Sequence, residues 1–161
     1  MLGHVMDDLL ITSPANPRLK ALVRLRRRRA RDEEGVTLAE GYEELQLAVA
    51  AGVRPRTVFH CRELMLDPDA QQGLVDELRA DGVETIALSR SAFEKVAYRE
   101  GPDGFLAVLP RLGVGLTELD LPKDAFVLVA EGIEKPGNLG SMLRSAEAAG
   151  VHAVIAVDPV T

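Results

Sequence analysis

Two short apolar runs set the tightest limit on what this chain can fold into. Phe126-Val127-Leu128-Val129-Ala130 and the run from His152 to Val157 flank a helical pattern from Leu139 to Ala149, which Gly150 closes. A strand that is apolar on both sides needs cover on both, so this β-α-β unit of about 35 residues demands a parallel sheet with helices on each face. Upstream the chain alternates in the same way. Val36 to Ala39 reads as a strand after Gly35, and Tyr42, Leu45, Ala48 and Val49 recur at helical spacing as far as Gly52. Thr57-Val58-Phe59 is a second strand, and Asp67-Pro68 opens a helix through Leu74, Val75 and Leu78 that ends near Asp81-Gly82. Glu84 to Leu88 reads as a strand, Ser89 to Val96 as a short helix, Tyr98 to Gly104 as a loop and Phe105 to Leu109 as a strand. The expected organisation is an α/β domain over residues 1–110, a linker over 111–124 with Gly113, Gly115 and Pro122, and a second unit over 125–161. One β-α-β unit cannot cover its own sheet, so the second unit reads as cut short.

Composition narrows the class. Of 161 residues 47% are hydrophobic, enough to build a core and to exclude a fully disordered chain. The single cysteine, Cys61, cannot form an internal disulfide, and His4, His60 and His152 are scattered, so no metal site is expected. The acidic pair Asp7 and Asp8 spoils a signal peptide, and no run approaches the roughly 20 apolar residues of a membrane span. A cytoplasmic protein with no membrane partner is expected. With no Trp and 4% aromatic residues, a stacking platform for single-stranded bases is poorly supplied.

A net charge of −6 excludes a simple polycation but hides an asymmetry. Arg18, Lys20, Arg24, Arg26, Arg27, Arg28, Arg29 and Arg31 follow one another within 14 positions, whereas beyond Arg31 there are 11 basic and 23 acidic residues. Ser13-Pro14 and Asn16-Pro17 each place a capping side chain before a proline, which suits a helix start. One continuous helix through Arg31 would gather Leu19, Leu22, Val23 and Ala30 on one side. Lys20, Arg24, Arg27, Arg28 and Arg31 would fall within about 100° on another. No acid interrupts the run to form i,i+4 pairs, so the spacing predicts a face that repels itself unless a polyanion is present. A solvated face is the alternative. Phosphate contacts there would give affinity that falls with salt, without sequence selectivity.

The segment Glu131-Gly132-Ile133-Glu134-Lys135-Pro136-Gly137-Asn138-Leu139-Gly140 joins strand to helix. Gly132 and Gly137 have Walker spacing, but Asn138 and Leu139 stand where Lys and Ser or Thr would be needed, and no G-x-G-x-x-G is present. What survives is a helix start whose N–H groups and dipole suit an anion or a polarised oxygen. Leu139, Met142, Leu143 and Ala146 share a face that should pack on the sheet. Arg144 projects roughly 140° from Leu139, beside Ser141, and leans back toward the loop. The alternative is that Asn138 merely caps the helix and Arg144 is a solvated surface residue.

The stretch from Glu131 through Pro136-Gly137-Asn138-Leu139-Gly140-Ser141-Met142-Leu143-Arg144-Ser145-Ala146 closely resembles the first motif of the SpoU/TrmH family of RNA ribose 2′-O-methyltransferases, in the SPOUT superfamily. Upstream, Asn16-Pro17-Arg18 with the basic helix, Glu40-Gly41 and Gly104-Phe105-Leu106-Ala107-Val108 are similar to that family's N-terminal substrate-binding domain. Asp103 departs from it, standing where many relatives carry Gln. The resemblance implies an L30-like α/β/α domain followed by the β-α-β start of a SPOUT α/β knot. It implies RNA, 23S rRNA before tRNA, as substrate and partner, with Lys20, Arg24, Arg27, Arg28 and Arg31 as RNA-binding residues. It also implies Asn138 and Arg144 as catalytic residues, with Arg144 helping to activate a ribose 2′-hydroxyl. Since a guanidinium ordinarily keeps its proton, stabilising the developing alkoxide is the less demanding role.

S-adenosylmethionine would be the methyl donor of the full-length protein, a homodimer. Its knotted pocket belongs to second and third motifs some hundred residues further on, so this chain is expected to be an inactive fragment with no cofactor-binding residues of its own. The alternative is a non-catalytic L30-type RNA-binding module. The expected behaviour is weak RNA binding without donor binding, and calorimetry that found micromolar S-adenosylmethionine affinity in this chain would contradict it.

Overall fold

The computed structural model describes residues 10–113 and 115–159, so His4, Asp7, Asp8 and Thr161 lie outside the described residues. The chain divides into two compact units, one ending at Leu112 and one beginning at Gly113. In the first, helices α1 (Pro17–Arg24) and α2 (Arg28–Glu34) precede strand β1 (Val36–Glu40), helix α3 (Tyr42–Ala50) and strand β2 (Thr57–His60). Helix α4 (Pro68–Ala80), strand β3 (Glu84–Ala87), helix α5 (Arg90–Val96) and strand β4 (Phe105–Pro110) follow. The sheet order is β1-β4-β2-β3, with β4 antiparallel to both β1 and β2, and β2 parallel to β3. A bridge from Ile11 to Leu88 continues the β3 edge.

Alternation along the strands divides the core between the two sheet faces. Leu106 and Val108 of β4, with Phe59 of β2 and Ile86 of β3, meet Leu19, Leu22, Leu25, Ala30, Phe93 and Val96 from α1, α2 and α5. Phe105, Ala107 and Leu109, with Val58, meet Leu45, Val75 and Leu78 from α3 and α4. The result is the expected three-layer α/β/α arrangement. Each fully buried Leu or Phe contributes roughly 1.5–3 kcal/mol to it.

The residues Glu40-Gly41 and Asp103-Gly104 clamp the end of this sheet. Glu40, 2% exposed, accepts N–H bonds from Tyr98 (2.9 Å) and Arg99 (3.4 Å), tying the loop after α5 to the end of β1. The Asp103 carboxylate accepts the N–H of Tyr42 (2.7 Å) at the first turn of α3 and that of Phe105 (3.3 Å). Its role is local, serving orphan N–H groups at a helix start and a strand start. Gly104 has φ +86, and a Cβ there would stand 2.5 Å from the backbone oxygen of Cys61. Burial pushes the Cys61 thiol above its usual range, so it is a packed side chain rather than a nucleophile.

The basic segment departs from the single helix expected of it. Leu25, Arg26 and Arg27 close α1 with short-range bonds, Leu25 N–H to the Leu22 oxygen (3.0 Å), Arg26 to Val23 (3.1 Å) and Arg27 to Arg24 (3.1 Å). Arg27 is extended, and α2 then starts afresh. Leu25 still bonds Ala21 (3.3 Å) as a helical residue does and lies about 60° around the axis from Leu22, and with Leu19, Leu22 and Ala30 it reaches one core. Only Asn16 caps α1, its Oδ1 accepting the Arg18 N–H (2.9 Å), while the Ser13 hydroxyl serves the preceding turn through Ala15 (3.3 Å).

In the second unit, strands β5 (Val127–Glu131) and β6 (Ala153–Val157) are parallel, joined through helix α6 (Pro136–Ala148). A short 3-10 turn over Leu116–Glu118 lies in the segment expected to be a linker. Of the apolar face expected on α6, only Ala146 is buried; Met142 and Leu143 are 40% and 46% exposed. A two-stranded sheet offers too little surface to cover that face.

Gly104→Ala is expected to cost about 2–4 kcal/mol, from the left-handed backbone and the overlap with Cys61 together. Chemical denaturation of the two proteins side by side measures it, and an unchanged midpoint would refute this account of the clamp.

Candidate functional site

The cations of α1 and α2 fall into three groups. Arg18 pairs with Glu84 (2.6 Å), Arg29 with Glu33 (2.8 Å), Arg28 with Asp32 (3.7 Å) and Arg24 with Glu34. The expectation that no acid would pair with the run is therefore corrected. Asp32, Glu33 and Glu34, just past Arg31, supply two i,i+4 partners and one across the break. These pairs are exposed, worth a few tenths of a kcal/mol each, so they neutralise charge more than they stabilise the fold. Arg26 and Arg31 are held differently. Arg26 Nη2 donates to the carbonyls of Lys95 (3.2 Å) and Ala97 (2.7 Å), and Arg31 Nη1 to those of Leu25 (3.1 Å) and Arg26 (2.8 Å). Both guanidinium groups sit at helix C-termini, where the dipole favours a cation. Lys20 and Arg27 are exposed and form no ion pair among the described residues.

The helix break also undoes the single arc expected for Lys20, Arg24, Arg27, Arg28 and Arg31. Lys20 and Arg24 lie on α1, Arg27 at the break, and Arg28 and Arg31 on α2, with Arg31 turned inward and half-buried. Sequence spacing gave no role to Arg26 or Tyr98. The ring of Tyr98, 47% exposed, stands with Arg26, Arg31, Thr37 and Leu38 around one cavity. Burial, with the nearby Glu40 carboxylate, pushes its phenol above the usual tyrosine range despite Arg99, Arg31 and Arg26. On the other side of the clamp, the Arg99 guanidinium bonds Glu44 (2.5 Å) and holds that carboxyl below its usual range.

In the second unit, α6 begins three residues before the expected Leu139. Lys135 is its N-cap, so Asn138 lies in the first turn and does not cap the helix. The N–H groups of Asn138 and Leu139 both turn to the Lys135 carbonyl (3.0 and 3.4 Å). Gly132, with φ +63, donates its N–H to Val157 (3.0 Å) and turns the chain out of β5. Arg144 leans back as expected. Its Nη2 donates to the Ser141 hydroxyl (3.2 Å), which itself donates to the Gly137 carbonyl (3.0 Å). Nη1 lies 3.5 Å from where a Cβ of Gly140 would stand, an ordinary contact distance, so the guanidinium runs back over that residue. The guanidinium is thereby steadied along the first turns of α6, which follows the C-terminal end of β5, the usual end for ligands in parallel sheets. Six residues of helix set Asn138 about 120° around the axis from Arg144, so the two do not share a face. Ser141, the partner of Arg144, had only a position in the sequence reading; its i,i+3 spacing was the available signal.

Residues 16–107 match the MRM3-like substrate binding domain family. An uncharacterised tRNA/rRNA methyltransferase of Synechocystis sp. is 32% identical over 148 residues, 92% of this chain and 52% of its own length. The 23S rRNA (guanosine(2553)-2′-O)-methyltransferase RlmP of Bacillus subtilis is 27% identical over 148 residues, 92% of this chain and 54% of its own length. Among solved structures, the SpoU methyltransferase AviRb of Streptomyces viridochromogenes with its cofactor AdoMet superposes with a TM-score of 0.74 at 26% identity, over 88% of this chain and 52% of that one. The chain spans about half the length of these relatives. Of the side chains described between 131 and 138 only Ile133 is buried, so these residues do not by themselves enclose an adenosine or a sulfonium.

Because burial favours the neutral phenol, Tyr98 is expected to ionise at higher pH than an ordinary tyrosine. Its contribution to stability is present below the ordinary tyrosine value and is lost as pH climbs through the folded one. Phenolate absorbance of the chain against its Tyr98→Phe variant measures this, and a Tyr98 midpoint at or below the usual value would contradict the burial.

Proposed function

We propose a function from one premise: the chain belongs to the SpoU/TrmH family of RNA ribose 2′-O-methyltransferases and carries its MRM3-like substrate-binding domain. The protein it represents methylates a ribose 2′-hydroxyl of ribosomal RNA, in preference to transfer RNA, with S-adenosylmethionine as donor. Residues 1–110 hold the RNA, and residues 125–161 bring catalytic groups to it across the 111–124 linker. The donor pocket lies in the part of the full-length protein that this chain does not span. The 161 residues alone bind RNA and transfer no methyl group. The full-length protein works in the cytoplasm as a homodimer.

The observation that carries this reading is the exposed guanidinium of Arg144, bonded through Nη2 to the Ser141 hydroxyl. A ribose hydroxyl is a poor nucleophile until negative charge on its oxygen is stabilised. Arg144 is steadied by Ser141 and the Gly137 carbonyl, yet Nε and part of each terminal nitrogen are left to donate elsewhere. A donor already in place costs no reorganisation when that charge appears, so the side chain acts as alkoxide stabiliser rather than as base. Asn138, exposed in the first turn on another face of the helix, offers an amide that helps to organise the loop side of the site. Lys20, Arg24, Arg27, Arg28 and Arg31 supply the phosphate attraction, with Lys20 and Arg27 the most available and Arg24 and Arg28 exchanging their carboxylates for phosphates.

In the full-length protein, Arg144→Ala is expected to lower kcat by about 10²–10³-fold with little change in KM, and Arg144→Lys to restore part of the loss. Single-turnover methyl transfer to rRNA measures this, and full turnover by Arg144→Ala would overturn the reading.

A further inference from the structure

The cavity of about 370 Å³ lined by Arg26, Arg31, Thr37, Leu38 and Tyr98 is left unexplained by the catalytic reading. Its size lies within the range of small-ligand sites, which begins at about 300 Å³. Its two cations differ from most of the basic segment. Arg18, Arg24, Arg28 and Arg29 each meet a carboxylate, whereas Arg26 and Arg31 are anchored through one nitrogen each to backbone carbonyls. No carboxylate pairs with either among the described residues. Anchoring uses Nη2 of Arg26 and Nη1 of Arg31, leaving Nε and the other terminal nitrogen of each as donors. Two preorganised and uncompensated guanidinium groups make a seat for a phosphodiester. Tyr98 and Leu38 supply an apolar wall, and Thr37, whose side chain alternates to the other sheet face, contributes its backbone to the edge. Glu40 fixes the backbone at Tyr98, so the ring is presented from a tethered loop.

Resting on the family reading above, we propose that this cavity is a subsite for one unstacked RNA nucleotide, its base against Tyr98 and its phosphate on Arg26 and Arg31. The seat takes a base lifted out of a helix or loop and ignores duplex, because a paired base cannot present its face to the ring. The domain would thus select looped or bulged RNA, where the phosphate contacts of Lys20 and Arg27 alone could not discriminate.

The test uses the 161-residue chain, a short single-stranded RNA carrying 2-aminopurine, the same sequence as a duplex, and guanosine monophosphate. Binding to the single strand is expected to quench the 2-aminopurine. Tyr98→Ala is expected to weaken binding about tenfold and abolish the quenching, while Tyr98→Phe keeps both. Duplex binding is expected to be indifferent to Tyr98. If Tyr98→Ala binds and quenches like the unaltered chain, the subsite is refuted; the family reading then survives, provided that Lys20→Glu with Arg27→Glu still weakens RNA binding. Guanosine monophosphate binding as tightly as the oligonucleotide would overturn the assignment to RNA in favour of a free nucleotide. A chain that binds no RNA at all overturns the subsite and the RNA-holding role together.

Discussion

The buried Glu40 carboxylate is the interaction on which the first unit's arrangement depends. A carboxylate almost wholly removed from water is tolerable only when its oxygens are bonded, and here the N–H groups of Tyr98 and Arg99 bond them. The loop after α5 is therefore pinned to the end of β1. Arg26 reaches the carbonyls of Lys95 and Ala97 next door, so the same loop also anchors the α1–α2 break. Gly104 completes the clamp because only a residue without Cβ can pass so close to Cys61. Sheet edge, loop and basic segment are thus one mechanical unit.

The basic segment shows how a charge run is resolved by structure. Eight cations within 14 positions suggested a uniform polycationic face. Instead, four are paired with carboxylates, two are held by helix-terminal carbonyls, and Lys20 and Arg27 are exposed without ion pairs among the described residues. Their energies differ in kind. Exposed ion pairs are weak and exchange readily with phosphate, whereas arginines held by carbonyls keep their charge and lose much of their freedom before any ligand arrives. Affinity and position can therefore come from different arginines of the same run.

The second unit couples a glycine turn to a short series of hydrogen bonds that ends on Arg144. Gly132 turns the chain out of β5, Lys135 caps α6, and the hydroxyl of Ser141 relays the helix backbone to Arg144. The exposed side chains of Val129, Met142 and Leu143 mark the faces that a two-stranded sheet and one helix cannot cover. The relatives, about twice as long, have more chain with which to cover such faces.

Apart from the basic segment, read as one helix where there are two, the order and type of the strands and α-helices were legible from alternation, proline-bearing starts and glycine stops, because those signals act over a few residues. The Asn138 to Arg144 motif and the backward lean of Arg144 were legible too, since helical spacing and Cβ direction are local properties. The helix break at Leu25 to Arg27 was not. It coincides with Arg26 bonding the carbonyls of Lys95 and Ala97 at the end of α5, partners that local periodicity does not mark. Nor could spacing reveal that Arg18 would find Glu84, or that Arg26 would find the end of α5, because these partners are 66 and 69 or more residues apart. Local periodicity determined the elements and the chemical types on offer. Long-range packing decided which cations are neutralised, which are fixed, and which side chains share a cavity, because those choices depend on contacts that exist only once the sheet has formed.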